Sequence, residues 1–383
     1  MTVSAIICEY NPMHNGHMYQ LAQTKVQTGC DVTVALMSGN FVQRGEPALY
    51  EKHLRAQAAV ACGVNLVLEL PALFTLQSAE RYAAHAVRTL AALNCVDVLS
   101  FGAECGDLAL LRGVAHLLAE EPADFRQGLK AALAEGLSFP LARCRAVAQT
   151  LGPAAAEVLK HPNNILAVEY LKALLRQQVP IQPLAIRRTG TGHDSPEAAG
   201  RFASASHLRQ LLNAGQSDTA YAYMPAQAAA YIREAPQAHA ERLEPAILAH
   251  LCRLSATELG ETADMSEGLE NKIRAAAYTA DTCKALAEQA KSKRYPLSRI
   301  RRLLLNAYLG ITKADLDKTP QYLKILAFDA AGQSLLNQIK KKTALPLAKN
   351  RNQIKGIPAA ETLWDRELWF DRVYALALQE ETE

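Results

Sequence analysis

Val3-Ser4-Ala5-Ile6-Ile7-Cys8-Glu9-Tyr10-Asn11-Pro12-Met13-His14-Asn15-Gly16-His17-Met18-Tyr19-Gln20 is the stretch on which the fold turns. Its first six residues are near-continuously apolar, the pattern of a strand covered on both faces rather than one alternating between core and water. From residue 17 to residue 26 the apolar spacing changes to that of a helix. Between them Pro12 and Gly16 mark a tight turn, so the stretch reads as strand, turn, helix. The same change of period recurs downstream. Strand-like runs lie at 3–8, 31–38, 64–70 and 96–101, and helical patterns at 17–26, 50–62 and 77–93. Strands and helices alternating at this interval form βαβ units, which predicts an α/β protein built on a doubly wound parallel sheet.

Residues 108–160 turn helical and rich in Ala and Leu, and read as a helical insertion of about that span. A helix at about 164–176 and a strand at 181–187 return to the sheet. The polar, glycine-rich stretch 189–200 reads as a loop, followed by a short helix starting near Ser204. Beyond Tyr221 no strand pattern stands out, and an Ala/Leu/Glu/Lys/Arg composition predicts a helical C-terminal domain. The expected division is a catalytic domain over 1–220 and a helical domain over 221–383, a length of 383 residues being in keeping with two domains.

Half the residues are hydrophobic and 21% are charged, the balance of a globular protein with a sizeable core. The net charge of +3 does not by itself imply a polyanionic partner, so any nucleic-acid contact must rest on a local patch. No stretch reaches the apolar length needed to cross a bilayer. Residues 1–8 carry neither the basic segment nor the cleavage site of an export signal. A cytoplasmic location is expected, with neither membrane nor DNA among the partners. The eight cysteines are scattered singly without a CxxC pair, so neither a zinc site nor a redox motif is indicated and no metal site is assigned.

His14-Asn15-Gly16-His17 lies at the carboxyl end of the first strand, where open α/β sheets bind ligands against helix N-termini. Two imidazoles there can donate hydrogen bonds to phosphate oxygens as charge builds during reaction. Gly16, without a Cβ, is expected to let a base or ribose approach the backbone, and Pro12 to stiffen the turn. A chance pair of surface histidines would give the same letters, but the position after a first strand favours the site. Ser204-Ala205-Ser206-His207-Leu208-Arg209 adds two hydroxyls at a helix start and a fixed charge one turn later. Alone it would be an ordinary helix cap. With the histidines it suits a β/γ-phosphate or a leaving pyrophosphate.

The two elements together are similar to those of the HxGH nucleotidyltransferase superfamily, whose Rossmann-like, HUP-type domain carries a second signature of the form Ser-Ser-Thr-x-x-Arg. Ala205 departs from it. The superfamily transfers a nucleotidyl group from a nucleoside triphosphate and releases pyrophosphate, which implies His14 and His17 as catalytic residues acting through positioning and charge stabilisation.

Further segments narrow the resemblance. Ser38-Gly39-Asn40-Phe41-Val42-Gln43-Arg44-Gly45-Glu46-Pro47-Ala48 has the make-up of an active-site loop. Phe101-Gly102-Ala103-Glu104 follows the fourth strand, Pro162-Asn163-Asn164-Ile165-Leu166 opens a helix, and Ile186-Arg187-Arg188 ends a strand. With EYNPMHNGH, SGNFVQRGEPA, FGAE, PNNILAVEYLKAL, SASHLR and KRYPLSRIRRLLL spread from Glu9 to Leu305, the chain resembles the bacterial tRNA(Met) cytidine acetate ligase family. That resemblance implies activation of acetate by ATP as acetyl-adenylate, then acetylation of N4 of the wobble cytidine of elongator tRNA(Met). It implies an ATP site on Ile7, Cys8, Glu9, Tyr10, Asn11, Pro12, Met13, His14, Asn15, Gly16, His17, Met18, Tyr19 and Gln20. Gly102, Asn163, Arg187, Arg188, Ser204, Ser206 and Arg209 join it, with the choices between Asn163 and Asn164 and between Arg187 and Arg188 left open. Met13 stands where many relatives carry Phe. Mg²⁺ is expected with ATP, although no carboxylate cluster offers to hold it.

Residues 291–302 place six positive charges around Tyr295, and a second basic cluster spans 340–342 and 349–355. Lys293, Arg294, Arg299, Arg301 and Arg302 are the candidate tRNA contacts, since phosphate contact and base stacking use such groups. The same run fits a solvated helix face, and Tyr295 fits either stacking on a base or packing on a helix. Two other functions remain open on this reading: a small-molecule adenylyltransferase acting on a phosphorylated metabolite, and a non-catalytic nucleotide- and RNA-binding protein.

Overall fold

The computed structural model describes residues 1–188, 200–292 and 295–378. The expected loop at 189–200 therefore lies outside the described residues except for Gly200, and so do the tRNA candidates Lys293 and Arg294.

Strand β1 (Val3–Cys8) pairs in parallel with β2 (Val32–Ser38), with Val3 opposite Val32 and Cys8 opposite Met37. A small antiparallel ribbon, β3 (Phe41–Val42) and β4 (Glu46–Pro47), follows β2. Strand β5 (Leu66–Leu70) lies parallel to β2 on its far side, β6 (Val98–Ala103) lies parallel to β1, and β7 (Gln182–Arg187) lies parallel to β6. The resulting order β5-β2-β1-β6-β7 reverses its winding between β1 and β6, and the crevice at such a switch point is where doubly wound sheets take their ligands.

Both faces of this sheet are dry. Successive residues of β2 serve opposite sides, Val34 and Leu36 entering one apolar cluster and Ala35 and Met37 the other. Helices Asn15–Thr28, Lys52–Ala61 and Ala205–Asn213 pack the second cluster, with Leu21, Ala56 and Leu208 among the buried side chains. Helices Ala79–Ala91 and Pro162–Gln177 pack the first. The insertion consists of helices Leu108–Glu120, Ala123–Ala134, Phe139–Leu151 and Pro153–Val158, stacked on that same side.

After Tyr221 the chain is helical as expected as far as Leu297–Leu309, which buries Ile300, Leu303, Leu304 and Leu305. Each such side chain contributes roughly 1.5–3 kcal/mol on burial. The expectation of no further strand is overturned beyond that helix. β8 (Leu323–Phe328) pairs antiparallel with β5, and β9 (Leu347–Ala348) pairs parallel with β8, giving seven strands in the order β7-β6-β1-β2-β5-β8-β9. The C-terminal half is thus not purely helical: it completes the sheet, and helix Pro358–Leu378 packs Trp364, Phe370 and Val373 into the main core.

A buried charge network fastens this late strand. Lys52 Nζ lies 2.9 Å from Glu69 Oε1 of β5 and 2.6 Å from Asp371 Oδ2 of the last helix. Lys324 Nζ of β8 lies 2.8 Å from Glu69 Oε2. Burial pushes the Glu69 carboxyl up, but the ammonium groups of Lys324 and Lys52 outweigh it and hold the group down at about 2. Among the described residues no helix is long and apolar enough to cross a membrane.

Candidate active site

Where the chain leaves β1, Tyr10 takes a left-handed conformation with φ 43° and a cis Asn11–Pro12 bond follows. His14 then caps helix Asn15–Thr28. Its Nδ1 accepts a hydrogen bond from the Gly16 N–H at 3.0 Å, and His17 Nδ1 accepts from the His14 N–H at 3.3 Å. The pair forms a reciprocal capping box, with the imidazoles taking the places usually filled by a hydroxyl and a carboxylate. Spacing the histidines three apart therefore satisfies two amide groups that the helix leaves without internal partners. With Nδ1 accepting, a neutral ring carries its proton on Nε2. The rings stack at 3.7 Å between centroids and 25° between planes, so both present the same edge at the positive end of the helix.

At Gly16 the structure shows a local steric reason for glycine. A Cβ there would lie 2.9 Å from His14 Cε1 and 3.0 Å from His14 Nδ1. The glycine makes room for the His14 ring.

The histidines line a cavity at the carboxyl ends of β1, β2 and β6. Of the residues expected to bind ATP, Ile7, Cys8, Glu9, Tyr10, Asn11, His14, His17, Gln20, Gly102, Asn163, Arg188, Ser206 and Arg209 form its wall. Pro12, Met13, Asn15, Gly16, Met18, Tyr19, Arg187 and Ser204 do not. A helix shows a cavity one face, and here that face is His14, His17 and Gln20. Met13 is 3% exposed and packs in the second core cluster, with Met18 against it. Asn15 donates from Nδ2 to the Arg201 carbonyl at 3.0 Å, and the Tyr19 ring meets Phe202. Ser204 Oγ accepts from the His207 N–H at 3.1 Å and caps helix Ala205–Asn213.

On the β6 side the members of the two open pairs are placed differently. Asn163 lines the cavity and donates from Nδ2 to Glu104 Oε1 at 2.6 Å. Asn164 is buried behind it, its Oδ1 accepting from the Cys105 N–H at 2.8 Å. Arg188 lines the cavity, its guanidinium pKa lowered by burial and supported by Glu104. Arg187 is exposed and runs along Gly106 instead. A Cβ on Gly102 would sit 3.5 Å from Arg188 Cγ, ordinary contact, so this position is less constrained than Gly16.

On the β2 side Arg209 donates to the Asn11 carbonyl at 2.9 Å and lies 3.3 Å from Glu46 Oε1 and 3.4 Å from Ser206 Oγ. Glu9 Oε1 accepts from the Gln43 N–H at 2.9 Å. Burial raises the Glu9 carboxyl, with the Gln43 N–H and Arg209 opposing. Gln43, Arg44 and Glu46, on the ribbon, belong to the wall, as do Tyr82 and Tyr170, which the sequence reading did not single out as site residues. Arg55, buried in helix Lys52–Ala61, also escaped it. Its guanidinium donates to the carbonyls of Glu9, Ser38, Gly39 and Tyr50, tying the ends of β1 and β2 together.

The basic segment is corrected as well. Arg302 is 7% exposed, with its guanidinium 3.5 Å from Asp264 Oδ2. Arg299 donates to the Asp264 carbonyl at 2.7 Å and to Ser266 Oγ. Helix Leu297–Leu309 thus turns both arginines onto the turn at 264–266, while Arg301 stays half-exposed. Tyr295 is buried and packs under the Arg299 guanidinium, its ring centroid 5.4 Å away. Gly45, at φ +81°, lies so close to this helix that a Cβ would come within 2.5 Å of the Arg302 backbone nitrogen. The ribbon carrying Gln43, Arg44 and Glu46 therefore rests on the helix backbone. Among the described residues no group of three or more His, Cys, Asp or Glu side chains is arranged to hold a metal.

The family model described as HIGH Nucleotidyl Transferase matches residues 1–383. A tRNA(Met) cytidine acetate ligase of Thermoanaerobacter sp. (strain X514) is 39% identical over 388 residues, covering 98% of this chain and 96% of the relative. The protein of the same name from Caldanaerobacter subterraneus subsp. tengcongensis is 39% identical over 385 residues, with the same coverage. Among solved structures, Thermotoga maritima TmcAL bound with alpha-thio ATP superposes with a TM-score of 0.91 at 30% identity, covering 100% of this chain and 96% of that one. The apo form of the same protein gives 0.94 at 30% identity, covering 99% and 96%.

Proposed function

The chain belongs to the tRNA(Met) cytidine acetate ligase family of HIGH nucleotidyl transferases, and from that premise we propose that it joins acetate to tRNA at the expense of ATP. Acetate is activated as acetyl-adenylate with release of pyrophosphate, and the acetyl group passes to N4 of the wobble cytidine of elongator tRNA(Met). The observation that carries this reading is the capping box of His14 and His17. It holds both imidazoles at a helix N-terminus that faces the switch-point crevice, where an imidazole N–H can donate to a phosphate oxygen.

In this reading adenosine occupies the β6 side, beside Gly102, Asn163 and Arg188. The α-phosphate meets the two histidines, and the pyrophosphate leaves towards Ser206 and Arg209. Acetate is ionised at neutral pH, so its attack needs no base, only a site that screens the repulsion between two anions. The helix end, Arg209 and Arg188 supply that screening. Mg²⁺ enters as the complex of ATP. Catalysis belongs to residues 1–220. The tRNA contacts belong to residues 221–383, with the half-exposed Arg301 as the described candidate and the exposed Lys340, Lys341 and Lys342 as a second basic patch.

ATP–pyrophosphate exchange with a panel of small carboxylates, followed by mass analysis of tRNA(Met) incubated with the preferred acid, tests this. Exchange that depends on acetate and one added acetyl group on the wobble cytidine are the expected results. Exchange with no carboxylate, with or without tRNA, would return the site to an adenylyltransferase of phosphorylated metabolites.

A further inference from the structure

An ATP cavity has an evident use for histidine, arginine and helix N-termini, but Glu9 does not fit that list. A carboxylate repels a triphosphate, the attack of acetate on ATP needs no base, and the described residues offer no cluster in which Glu9 could hold a resident metal. Its placement is nonetheless tightly specified. Arg55 grips the Glu9 carbonyl, and the Gln43 N–H holds one carboxylate oxygen at 2.9 Å. Gln43 sits on the ribbon that follows β2, so the carboxylate stands on the opposite edge of β1 from Gly102, Asn163 and Arg188, and a few residues before the histidines. With adenosine on the β6 side and the α-phosphate over the histidines, the Glu9 side is the one the departing pyrophosphate vacates, and through it the acceptor amine can approach the acetyl-adenylate.

We propose that the Glu9 carboxylate is the proton acceptor of the second half-reaction, taking one N4 proton of the cytosine as that amine attacks the acetyl carbonyl. The proposal rests on the function proposed above. The step balances without a further reactant. The N4–carbon bond forms, the carbon–oxygen bond to the phosphate breaks, AMP leaves as the anion, and the displaced proton passes to Glu9 and then to water. The exocyclic amine of cytosine is a weak nucleophile because its lone pair is delocalised into the ring. Removing a proton as the bond forms is therefore where a base contributes.

The surroundings suit the task. Desolvation raises the Glu9 carboxyl above the ordinary glutamate range and Glu46 adds to the shift, while the Gln43 N–H, Arg209 and Arg55 oppose it. Tyr82, Tyr170 and Cys8 face the same group and are held neutral by burial. A carboxylate raised in this way is a better proton acceptor at neutral pH than an exposed one.

The test is single-turnover transfer to a tRNA(Met) transcript from enzyme already charged with ATP and acetate, followed across pH. Wild type is compared with Glu9→Gln, which keeps an oxygen for the Gln43 N–H, and with Glu9→Asp, which keeps the charge but shortens the reach. The wild-type transfer rate should rise with pH through one ionisation to a plateau. Glu9→Gln should lose that rise and transfer about a hundredfold more slowly. Glu9→Asp should keep the rise at a reduced plateau, which a misfolded protein would not. Transfer by Glu9→Gln within about threefold of wild type, retention of its pH rise, or a defect confined to pyrophosphate exchange would each overturn the assignment. A wild-type protein that forms no acetylated tRNA would instead overturn the reading beneath it, before any variant is consulted.

Discussion

At the carboxyl end of β1, Glu9, His14, His17 and Arg209 meet around a cavity. At the carboxyl end of β5, Lys52, Glu69, Lys324 and Asp371 meet one another. Both clusters gather charged or ionisable side chains on the same sheet, yet they work in opposite senses. In the second, two ammonium groups face two carboxylates at 2.6–2.9 Å, and the charges are met from within. In the first, the backbone is served by Nδ1 of each histidine and by one oxygen of Glu9, and the same side chains line the cavity that a ligand would fill. Ionisable residues in a core thus divide by what completes their bonding: a neighbour in the fold, or a ligand.

Mutations can break that division. Lys52→Met leaves Glu69 and Asp371 short of a buried partner and should cost about 3–5 kcal/mol of stability, read as a lower melting temperature. A pH dependence accompanies it. Because the folded-state pKa of Glu69 is depressed, its stabilisation is present above the ordinary glutamate range and is lost as the pH falls towards about 2. Lys52→Met should move the acid-unfolding midpoint upwards, and an unchanged midpoint would show the network to be inert.

His17→Ala should show the reverse pattern. Acetate-dependent pyrophosphate exchange should fall roughly a hundredfold or more, while stability drops by about 1 kcal/mol from the lost cap. Exchange near the wild-type rate would remove His17 from catalysis.

The smallest effect belongs to the basic helix. Arg301→Ala should weaken tRNA binding and reduce the slope of affinity against salt by about one. Arg302→Ala should leave that slope alone and lower the melting temperature, since it removes the partner of Asp264 Oδ2 and leaves Arg299 alone with that carboxylate. A salt slope altered by Arg302→Ala and not by Arg301→Ala would invert the assignment.

The sequence shows some of this plainly and hides the rest for physical reasons. Strands β1, β2, β5 and β6 announce themselves because residues covered on both faces are mostly apolar, and β7 does so through its short apolar run between Gln182 and Arg187. Strand β8 does not, because Lys324 stands within it, and the Glu69 that neutralises this charge is far away in sequence. The histidine motif is legible because capping is local, and Gln43, Arg44 and Glu46 lie in a segment whose polar, glycine-rich make-up marks a loop. Of residues 7–20, read as one block, only part line the cavity, since a helix gives it one residue in three. Tyr82 and Tyr170 were not singled out because each is an aromatic on a helix that mostly packs core. The arginines of 299–302 look like an RNA surface in one dimension, and the inward turn of Arg299 and Arg302 depends on Asp264, which no local pattern predicts.

The pairing of β5 with β8 has a consequence for the order in which the protein is made. Synthesis delivers β5 roughly tens of seconds before β8, so the five-stranded parallel sheet first exists with β5 as an open edge. An apolar edge strand invites pairing with other chains, and a charge pointing inwards is one way such edges are blunted. Glu69 is that charge: while the chain is incomplete Lys52 meets only its Oε1, and any foreign strand would have to bury Oε2 without the partner Lys324 provides. When Lys324 arrives with β8, the deterrent becomes half of a lock. One residue guards the unfinished edge and then selects the strand permitted to close it.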